Sequence, residues 1–259
     1  MLQSVAKTLT LNNGIIIPTL GLGVYQMQEG QETEQAVRWA LEAGYRLIDT
    51  AKLYANEVSV GKAIRASSIP REEIFVTTKL WPTDFLNPQA AFERSFKKLD
   101  LGYIDLYLIH FPIPYMSANV WKTFEKLYAE KRVRAIGVSN YGIPQLEKLL
   151  STCSVPPAVN QVKFNPFAYK KELLDFCKSK DIILEAYSPL TQGKKLGHQV
   201  IKKIADKHHK SPAQVLIRWA LQQGTVAIPK SSHKNRLEEN LQVFDFELNS
   251  EEMASLNIL

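Results

Sequence analysis

Hydrophobic and polar positions alternate along the chain in a regular two-beat pattern. Short apolar runs of about four to six residues are each followed by amphipathic segments of about ten to fourteen. The runs predict strands at Leu20–Gly23, Arg46–Ile48, Ile74–Thr78, Ile104–Ile109, Val133–Val138, Ala158–Val162, Ile182–Glu185 and Val226–Ile228. The segments between them predict helices over 31–43, 57–67, 88–99, 118–130, 143–151, 170–179, 211–222 and 234–241, with a further helical stretch at 198–208. In the first, Ala36, Val37, Ala40 and Leu41 recur on one face, while Glu32, Glu34 and Arg38 take the others. Ser211-Pro212 reads as an N-cap followed by proline at the first helical position. Ahead of all this, Thr8–Leu11 and Ile15–Ile17 flank Asn12-Asn13-Gly14, a hairpin signal whose Asn-Gly favours positive backbone angles.

Eight strand–helix pairs from end to end mean a parallel sheet covered by helices. Two closures compete, a doubly wound open sheet and a (β/α)8 barrel. The open sheet wants G-x-G-x-x-G after an early strand, but Gly21-Leu22-Gly23 is followed by Val24-Tyr25-Gln26, without the third glycine. The barrel fits better, and its usual size of about 250 residues takes up nearly all of the 259 present. No linker or low-complexity stretch interrupts it, so residues 1–259 are read as one barrel domain.

The charge balance, 32 Lys plus Arg against 26 Asp plus Glu, leaves +6 with both signs interspersed. That is an evenly solvated surface with a slight cationic excess rather than a nucleic-acid stripe, which would interleave basic and aromatic residues. Cys153 and Cys177 lack C-x-x-C spacing, and His208-His209 has no carboxylate or cysteine at ligand spacing, so no metal site is expected. Met1-Leu2-Gln3-Ser4 opens no leader peptide and no apolar run approaches the ~18 residues of a spanning helix. The expectation is a cytoplasmic monomer acting on a small molecule, with neither nucleic acid nor membrane as a partner.

Barrels present their chemistry where strands end on the C-terminal face. Those ends carry Asp49, with Tyr54 in the loop beyond, then Thr77-Thr78-Lys79, His110, Ser139-Asn140, Asn160-Gln161, Tyr187-Ser188 and Pro229-Lys230. Any one of them is as readily a hydrogen-bonded strand end. Together, Asp49, Tyr54, Lys79 and His110 make a proton-transfer set. Lys79 is expected to lower the phenol pKa of Tyr54, Asp49 to keep Lys79 charged, and His110 to hydrogen-bond the same substrate oxygen. Such a group can protonate the alkoxide left by hydride addition to a carbonyl, with the hydride drawn from a cofactor. Lys230, Ser231, Ser232 and Arg236, followed by Glu239 and Asn240, gather cations and hydroxyls at a helix start, which suits a phosphate and equally an exposed N-cap.

These residues carry a resemblance to the aldo-keto reductase family over nearly the whole chain. Its stretches are Leu20–Gly23, Gly44–Ala51 with Tyr54 and Asn56-Glu57, Thr77–Trp81, Asp105–His110, Ile136–Asn140, Asn160–Val162, Tyr187–Leu190 and Ile228–Ser231, in that order. The resemblance implies a (β/α)8 barrel holding NADPH without a Rossmann domain and reducing aldehydes, with ketones and α-dicarbonyls such as methylglyoxal in range. It implies a catalytic tetrad of Asp49, Tyr54, Lys79 and His110, with Tyr54 as general acid. Ser139, Asn140 and Gln161 would hold the nicotinamide carboxamide and Tyr187 would stack on the ring. Lys230, Ser231 and Arg236 would take the 2′-phosphate, with Glu239 and Asn240 near adenine. Gly23, Val24, Tyr25, Asp49, Ser188, Leu190, Ile228, Pro229 and Ser232 complete the implied cofactor contacts. Tyr25, Tyr54, Trp81, His110 and Phe111 form the implied substrate wall.

The chain departs from the family pattern at Phe111, where many members carry tryptophan, and at Asn165, where a histidine commonly precedes the proline. The Pro112–Val120 connection is short. The last helix signal, Ser250–Leu256, stands just before Leu259, where members usually continue with a pocket-lining segment, so a more open pocket and broad carbonyl acceptance are expected. Two other functions use the same residues: a Schiff-base lyase with Lys79 as the amine, and a non-catalytic cofactor-binding barrel.

Overall fold

In the computed structural model, residues 7–114 and 116–259 are described; Met1–Ala6, including the Met1–Ser4 stretch read for a leader, and Tyr115 lie outside them. The chain starts with an antiparallel hairpin of β1 (Thr8–Thr10) and β2 (Ile16–Pro18). Of its turn residues only Gly14 has positive φ, 83°, and its N–H donates to Leu11 O at 2.9 Å. The Asn13 amide holds the negative-φ side of the turn instead, accepting from Ile15 N at 3.2 Å and donating to Arg134 O at 2.9 Å. These contacts seat the hairpin on the rest of the fold, and Leu11 and Ile17 pack into its interior.

Strand and helix then alternate: β3 (Leu22–Gly23), α1 (Gln31–Ala43), β4 (Leu47–Asp49), α2 (Glu57–Arg65), β5 (Phe75–Leu80), α3 (Pro88–Leu99), β6 (Ile104–Ile109) and α4 (Ser117–Ala129) make the first half. The second half is β7 (Val133–Ser139), α5 (Ile143–Leu150), β8 (Val159–Lys163), α6 (Lys171–Ser179), β9 (Ile183–Tyr187), α7 (Gln199–His208), α8 (Pro212–Gln222), β10 (Val226–Ile228), α9 (Lys234–Leu241) and α10 (Ser250–Asn257). From β3 to β10 the strands form one eight-stranded parallel sheet in sequence order. It closes on itself as a (β/α)8 barrel: Gly21 N donates to Ala227 O at 2.9 Å, Gly23 N to Pro229 O at 3.1 Å, and Ala227 N to Thr19 O at 2.8 Å. Glycine suits this closure at position 23, because a Cβ there would stand 3.0 Å from Ile228 O, a tight approach to backbone.

The period of two sorts every strand between two cores. Leu47, Phe75, Leu106, Leu108, Ala135, Val159 and Val226 fill the inside of the barrel with the hairpin's Leu11 and Ile17. Ile48, Val76, Tyr107, Ile109, Val162 and Leu184 face outward into the helix layer, beside Ala36, Val37, Ala40 and Leu41 of α1. Each large apolar side chain buried this way contributes about 1.5–3 kcal/mol. The same alternation turns Asp49, Lys79, Gln161 and Glu185 inward, above the apolar plug.

Candidate active site

Asp49 ends β4 and Lys79 is the last residue but one of β5, both with almost no solvent contact, 1% and 0% exposed. Lys79 Nζ donates to Asp49 Oδ1 at 2.7 Å, to Thr50 O at 2.8 Å and to Tyr54 Oη at 3.3 Å, so all three of its protons are committed. Tyr54 closes the short helical turn Lys52–Tyr54 just beyond β4. That turn is anchored by Asn56, fully buried, which accepts from Thr50 Oγ1 at 2.8 Å and donates to Val24 O at 3.0 Å and Met27 O at 3.1 Å. A buried amide therefore ties the loops after β3 and β4 together and brings Tyr25 to Tyr54, ring centroids 5.0 Å apart.

His110 follows β6, its backbone N–H donating to Leu80 O at 3.0 Å. Its ring stands edge-on to Tyr54 at 5.9 Å and to Trp81 at 5.0 Å, and stacks on Phe111 at 5.5 Å. Nδ1 is buried without a partner among the described residues. Tyr25 and Phe111 remain 46% and 39% exposed, so the aromatic wall opens to solvent above a buried polar floor.

Burial sets the protonation states. It pushes the Tyr54 phenol up to about 12; Lys79 pulls the other way, as expected from the sequence, but the loss of solvent is larger, so the expected net lowering does not occur. Burial, and then the charge of Lys79, pulls His110 down to about 3, which leaves the imidazole neutral. For Lys79 burial alone would favour the free amine, but Asp49 and Tyr54 outweigh it and the ammonium is held above its ordinary range. Burial raises Asp49 despite the opposing ammonium and the Gln161 amide.

Strand ends β7 to β9 lie beside this set. Ser139 Oγ donates to Gln161 O at 2.8 Å, and Asn140, at a positive φ of 62°, donates to His110 O at 3.0 Å and Ser139 Oγ at 3.1 Å. Tyr187 Oη, half-buried, donates to Asn140 Oδ1 at 2.9 Å. Gln161 Nε2 bridges two carboxyl groups, Asp49 Oδ2 at 2.8 Å and Glu185 Oε1 at 3.1 Å. Asn160, its neighbour in sequence, faces the other way and donates to Tyr141 O at 2.9 Å, so only one of the two strand-end amides reaches the mouth. Ser188, also at positive φ (50°), has its carbonyl held by Asn165 Nδ2 at 3.0 Å.

The residues after β10 keep a separate character. Lys230 and Arg236 are exposed and make no ion pair among the described residues. Ser231 Oγ accepts from His233 N at 3.2 Å, and Asn240 is buried. Glu239 is less free than its place in the sequence suggests, because its carboxylate accepts the hydroxyl of Ser211 at the start of α8.

The sequence profile of the Aldo/keto reductase family matches residues 19–259. The chain belongs to this family. A relative from Trypanosoma cruzi (strain CL Brener) named 9,11-endoperoxide prostaglandin H2 reductase is 51% identical over 255 residues, 96% of this chain and 90% of that one. The glyoxal reductase of Bacillus subtilis (strain 168) is 47% identical over 261 residues, 100% and 95% of the two chains. Among solved structures, an aldo/keto reductase from Brucella melitensis superimposes with a TM-score of 0.93 at 45% identity, covering 97% of this chain and 98% of that one. As an aldo/keto reductase the chain is an oxidoreductase of carbonyl reduction.

Two residues of this aldo/keto reductase's buried floor are not among those singled out in the sequence. Thr50 supplies a carbonyl to Lys79. Glu185 lies fully buried under Gln161. The signal for Glu185 was present: an acidic residue inside the apolar run Ile182-Ile183-Leu184-Glu185-Ala186. Among the described residues no three His, Cys, Asp or Glu side chains gather as a metal site, and no helix is long and apolar enough to cross a membrane.

Proposed function

We propose that the protein is an NADPH-dependent reductase of aldehydes and α-dicarbonyls in which Tyr54 gives the proton and Lys79, Asp49 and His110 set it up. The observation that carries this reading is the chain of contacts from Asp49 through Lys79 Nζ to Tyr54 Oη, 2.7 and 3.3 Å, opening on an aromatic wall. A phenol near 12 is a weak acid in water, yet it is the right donor for an alkoxide. Alcohols hold their proton about as tightly as water, more tightly than a phenol does, so transfer from Tyr54 to a nascent alkoxide runs downhill. Lys79 then stabilises the phenolate left behind, and Asp49 keeps the ammonium in register. His110, neutral, has one ring N–H to give; with Nδ1 walled off, a proton on Nε2 would reach the substrate oxygen.

The residues present fit a nicotinamide dinucleotide phosphate. With Gln161 Nε2 committed to two carboxyl groups, Oε1 has no hydrogen bond among the described residues and is left to accept from a carboxamide. Ser139, Asn140 and Tyr187 border it. Lys230 and Arg236, unpaired among the described residues, are cations suited to a 2′-phosphate, with Ser231, Ser232 and Asn240 beside them. Gly23, Val24, Tyr25, Ser188, Leu190, Ile228, Pro229 and Glu239 would complete the cofactor cleft. When bound, that cofactor supplies a hydride, which no side chain can.

A Schiff-base lyase would need Lys79 as a free amine. Three hydrogen bonds and a contacting carboxylate favour the ammonium instead. The aromatic wall of Tyr25, Trp81 and Phe111, together with the names of the glyoxal and methylglyoxal reductase relatives, supports small dicarbonyls and aldehydes as substrates. We read the enzyme as a single-domain cytoplasmic monomer; two free thiols accord with a reducing compartment. The test is oxidation of reduced cofactor across a panel of glyoxal, methylglyoxal, aromatic aldehydes and ketones, run with NADPH and with NADH. Dicarbonyl turnover with a higher kcat/KM for NADPH is expected. No carbonyl turnover with either cofactor, or equal efficiency with both, would contradict the proposal.

A further inference from the structure

The buried floor holds one more ionisable group than proton transfer requires. Glu185 sits on β9, fully buried, its Oε1 accepting from Gln161 Nε2 at 3.1 Å. Its Oε2 is buried and has no partner among the described residues. Two carboxyl groups, Asp49 and Glu185, therefore share one amide and one ammonium. Were both ionised, the cluster would carry a net negative charge out of contact with water, with one carboxylate oxygen unsatisfied. A single proton removes the net charge and leaves the bare oxygen on a neutral group, where it costs less than on an anion.

Which carboxyl keeps it follows from the contacts. Asp49 accepts from the Lys79 ammonium at 2.7 Å and from Gln161 at 2.8 Å, two bonds that favour the anion. Glu185 accepts only from the amide, a bond that a carbonyl oxygen of the neutral acid makes equally well. Among the described residues Glu185 has no cation of its own. Its register partner on β10 is Val226 and its partner on β8 is Gln161. β4 and β5 contribute Asp49 and Lys79, whose other neighbours are Tyr54 and His110.

We propose that Glu185 is a positioning residue of the proton-transfer site: a carboxylic acid at neutral pH whose ionisation in alkali, acting through Asp49 and Lys79, holds the proton on Tyr54. This rests on the reading of Tyr54 as the general acid. Burial, and then the charge of Asp49, pushes Glu185 up to about 8, well below Tyr54 at about 12. Glu185 thus loses its proton first as the pH rises. The anion it becomes opposes formation of a second anion at Tyr54 and competes for the field of Lys79, so the reductase keeps its acid in alkali.

The test uses the full-length enzyme and Glu185→Gln, which keeps the acceptor for Gln161 and removes the titration. In the variant, the alkaline limb of kcat/KM for carbonyl reduction, which reports Tyr54, should begin about one pH unit lower. pH-difference infrared spectra of the wild type should contain a protonated-carboxyl C=O band that titrates near pH 8 and is missing from Glu185→Gln. A purely structural Glu185 could show that band but would leave the limb where it is. Glu185→Leu, also unable to ionise, should shift the limb in the same direction and serves if the first variant does not fold. Superimposed pH profiles, or a wild-type spectrum with no carboxylic-acid band at neutral pH, would overturn the proposal. Full turnover by Tyr54→Phe would sink the reductase reading itself; coincident profiles with Tyr54→Phe inactive would sink the Glu185 role alone.

Discussion

Loss of solvent acts on every ionisable side chain in the mouth, and the sign of the charge decides the outcome. Acids become weaker, so Tyr54 stays a phenol, while the base His110 becomes harder to protonate. Lys79 escapes the trend only because Asp49 and Tyr54 contact it directly. His110 offers a clean check. With its folded-state pKa at about 3, the kcat/KM profile should show no step at the ordinary imidazole value of 6.5. Stability should respond as well. Because the unfolded chain takes up this proton first, the contribution of the neutral ring is complete above 6.5 and is lost as the pH falls toward about 3. Denaturation midpoints of wild type and His110→Asn should therefore draw closer between neutral and acidic pH. A constant gap would contradict a neutral, desolvated imidazole.

The helices earn their positions from contacts that propensity alone would misjudge. α8 begins with a reciprocal cap, Ser211 Oγ accepting from Gln214 N at 3.3 Å while Gln214 Oε1 accepts from Ser211 N at 2.8 Å, and the Ser211 hydroxyl also fixes Glu239 on α9. The Ser211-Pro212 signal was readable in the sequence; its second partner, 28 positions on, was not. Gly61, inside α2, is a sharper case. Glycine to alanine in a helix interior ordinarily gains about 1 kcal/mol. Here a Cβ would come within 2.0 Å of Leu99 O at the end of α3, a backbone atom that cannot rotate away. Overpacking of this kind costs about 1–3 kcal/mol and wins. Gly61→Ala should lower the denaturation midpoint; a raised midpoint would mean that α2 and α3 separate without cost.

Strand boundaries show where the hydrophobic pattern stops informing. β6 and β10 follow their apolar runs, Ile104–Ile109 and Val226–Ile228, to the residue. By contrast, β4, β5, β7 and β9 run past their apolar stretches to Asp49, Leu80, Ser139 and Tyr187. The extra residues include the polar groups of the site, which a search for apolar runs treats as the start of a loop. Backbone pairing continues beneath them because the interior of the mouth is a polar floor. Glu185 went unremarked for the complementary reason: it lay within a predicted strand, where alternation reveals a direction but not what a carboxyl meets across a barrel.

At the scale of the whole molecule, closure of the sheet brings groups from β4, β5, β8 and β9 into a single hydrogen-bonded cluster. Residues as distant in sequence as Asp49 and Gln161, 112 apart, meet at 2.8 Å. Asp49, Lys79, His110 and Gln161 were legible as a candidate group because they fall at or just beyond strand ends in a repeating pattern, whereas Tyr54, on the turn Lys52–Tyr54, was linked to them by the resemblance to a known family. Long-range couplings, such as Gln161 shared between two carboxyls, become visible only once the barrel's register is known. The cationic cluster after β10 makes its own claim at this scale. Arg236→Ala should weaken NADPH binding about tenfold or more while changing NADH little, as loss of a charge-assisted phosphate contact requires. Equal losses for the two cofactors in a binding titration would contradict the assignment.

The account depends most on Tyr54 as the group that delivers the proton. Single-turnover reduction of methylglyoxal by the NADPH-loaded enzyme, compared between wild type and Tyr54→Phe with cofactor affinity measured in parallel, tests it directly. We expect NADPH affinity to remain within about twofold, while the rate of hydride transfer falls by about 10²–10⁴. A variant that turns over within a few-fold of the wild type would contradict the account.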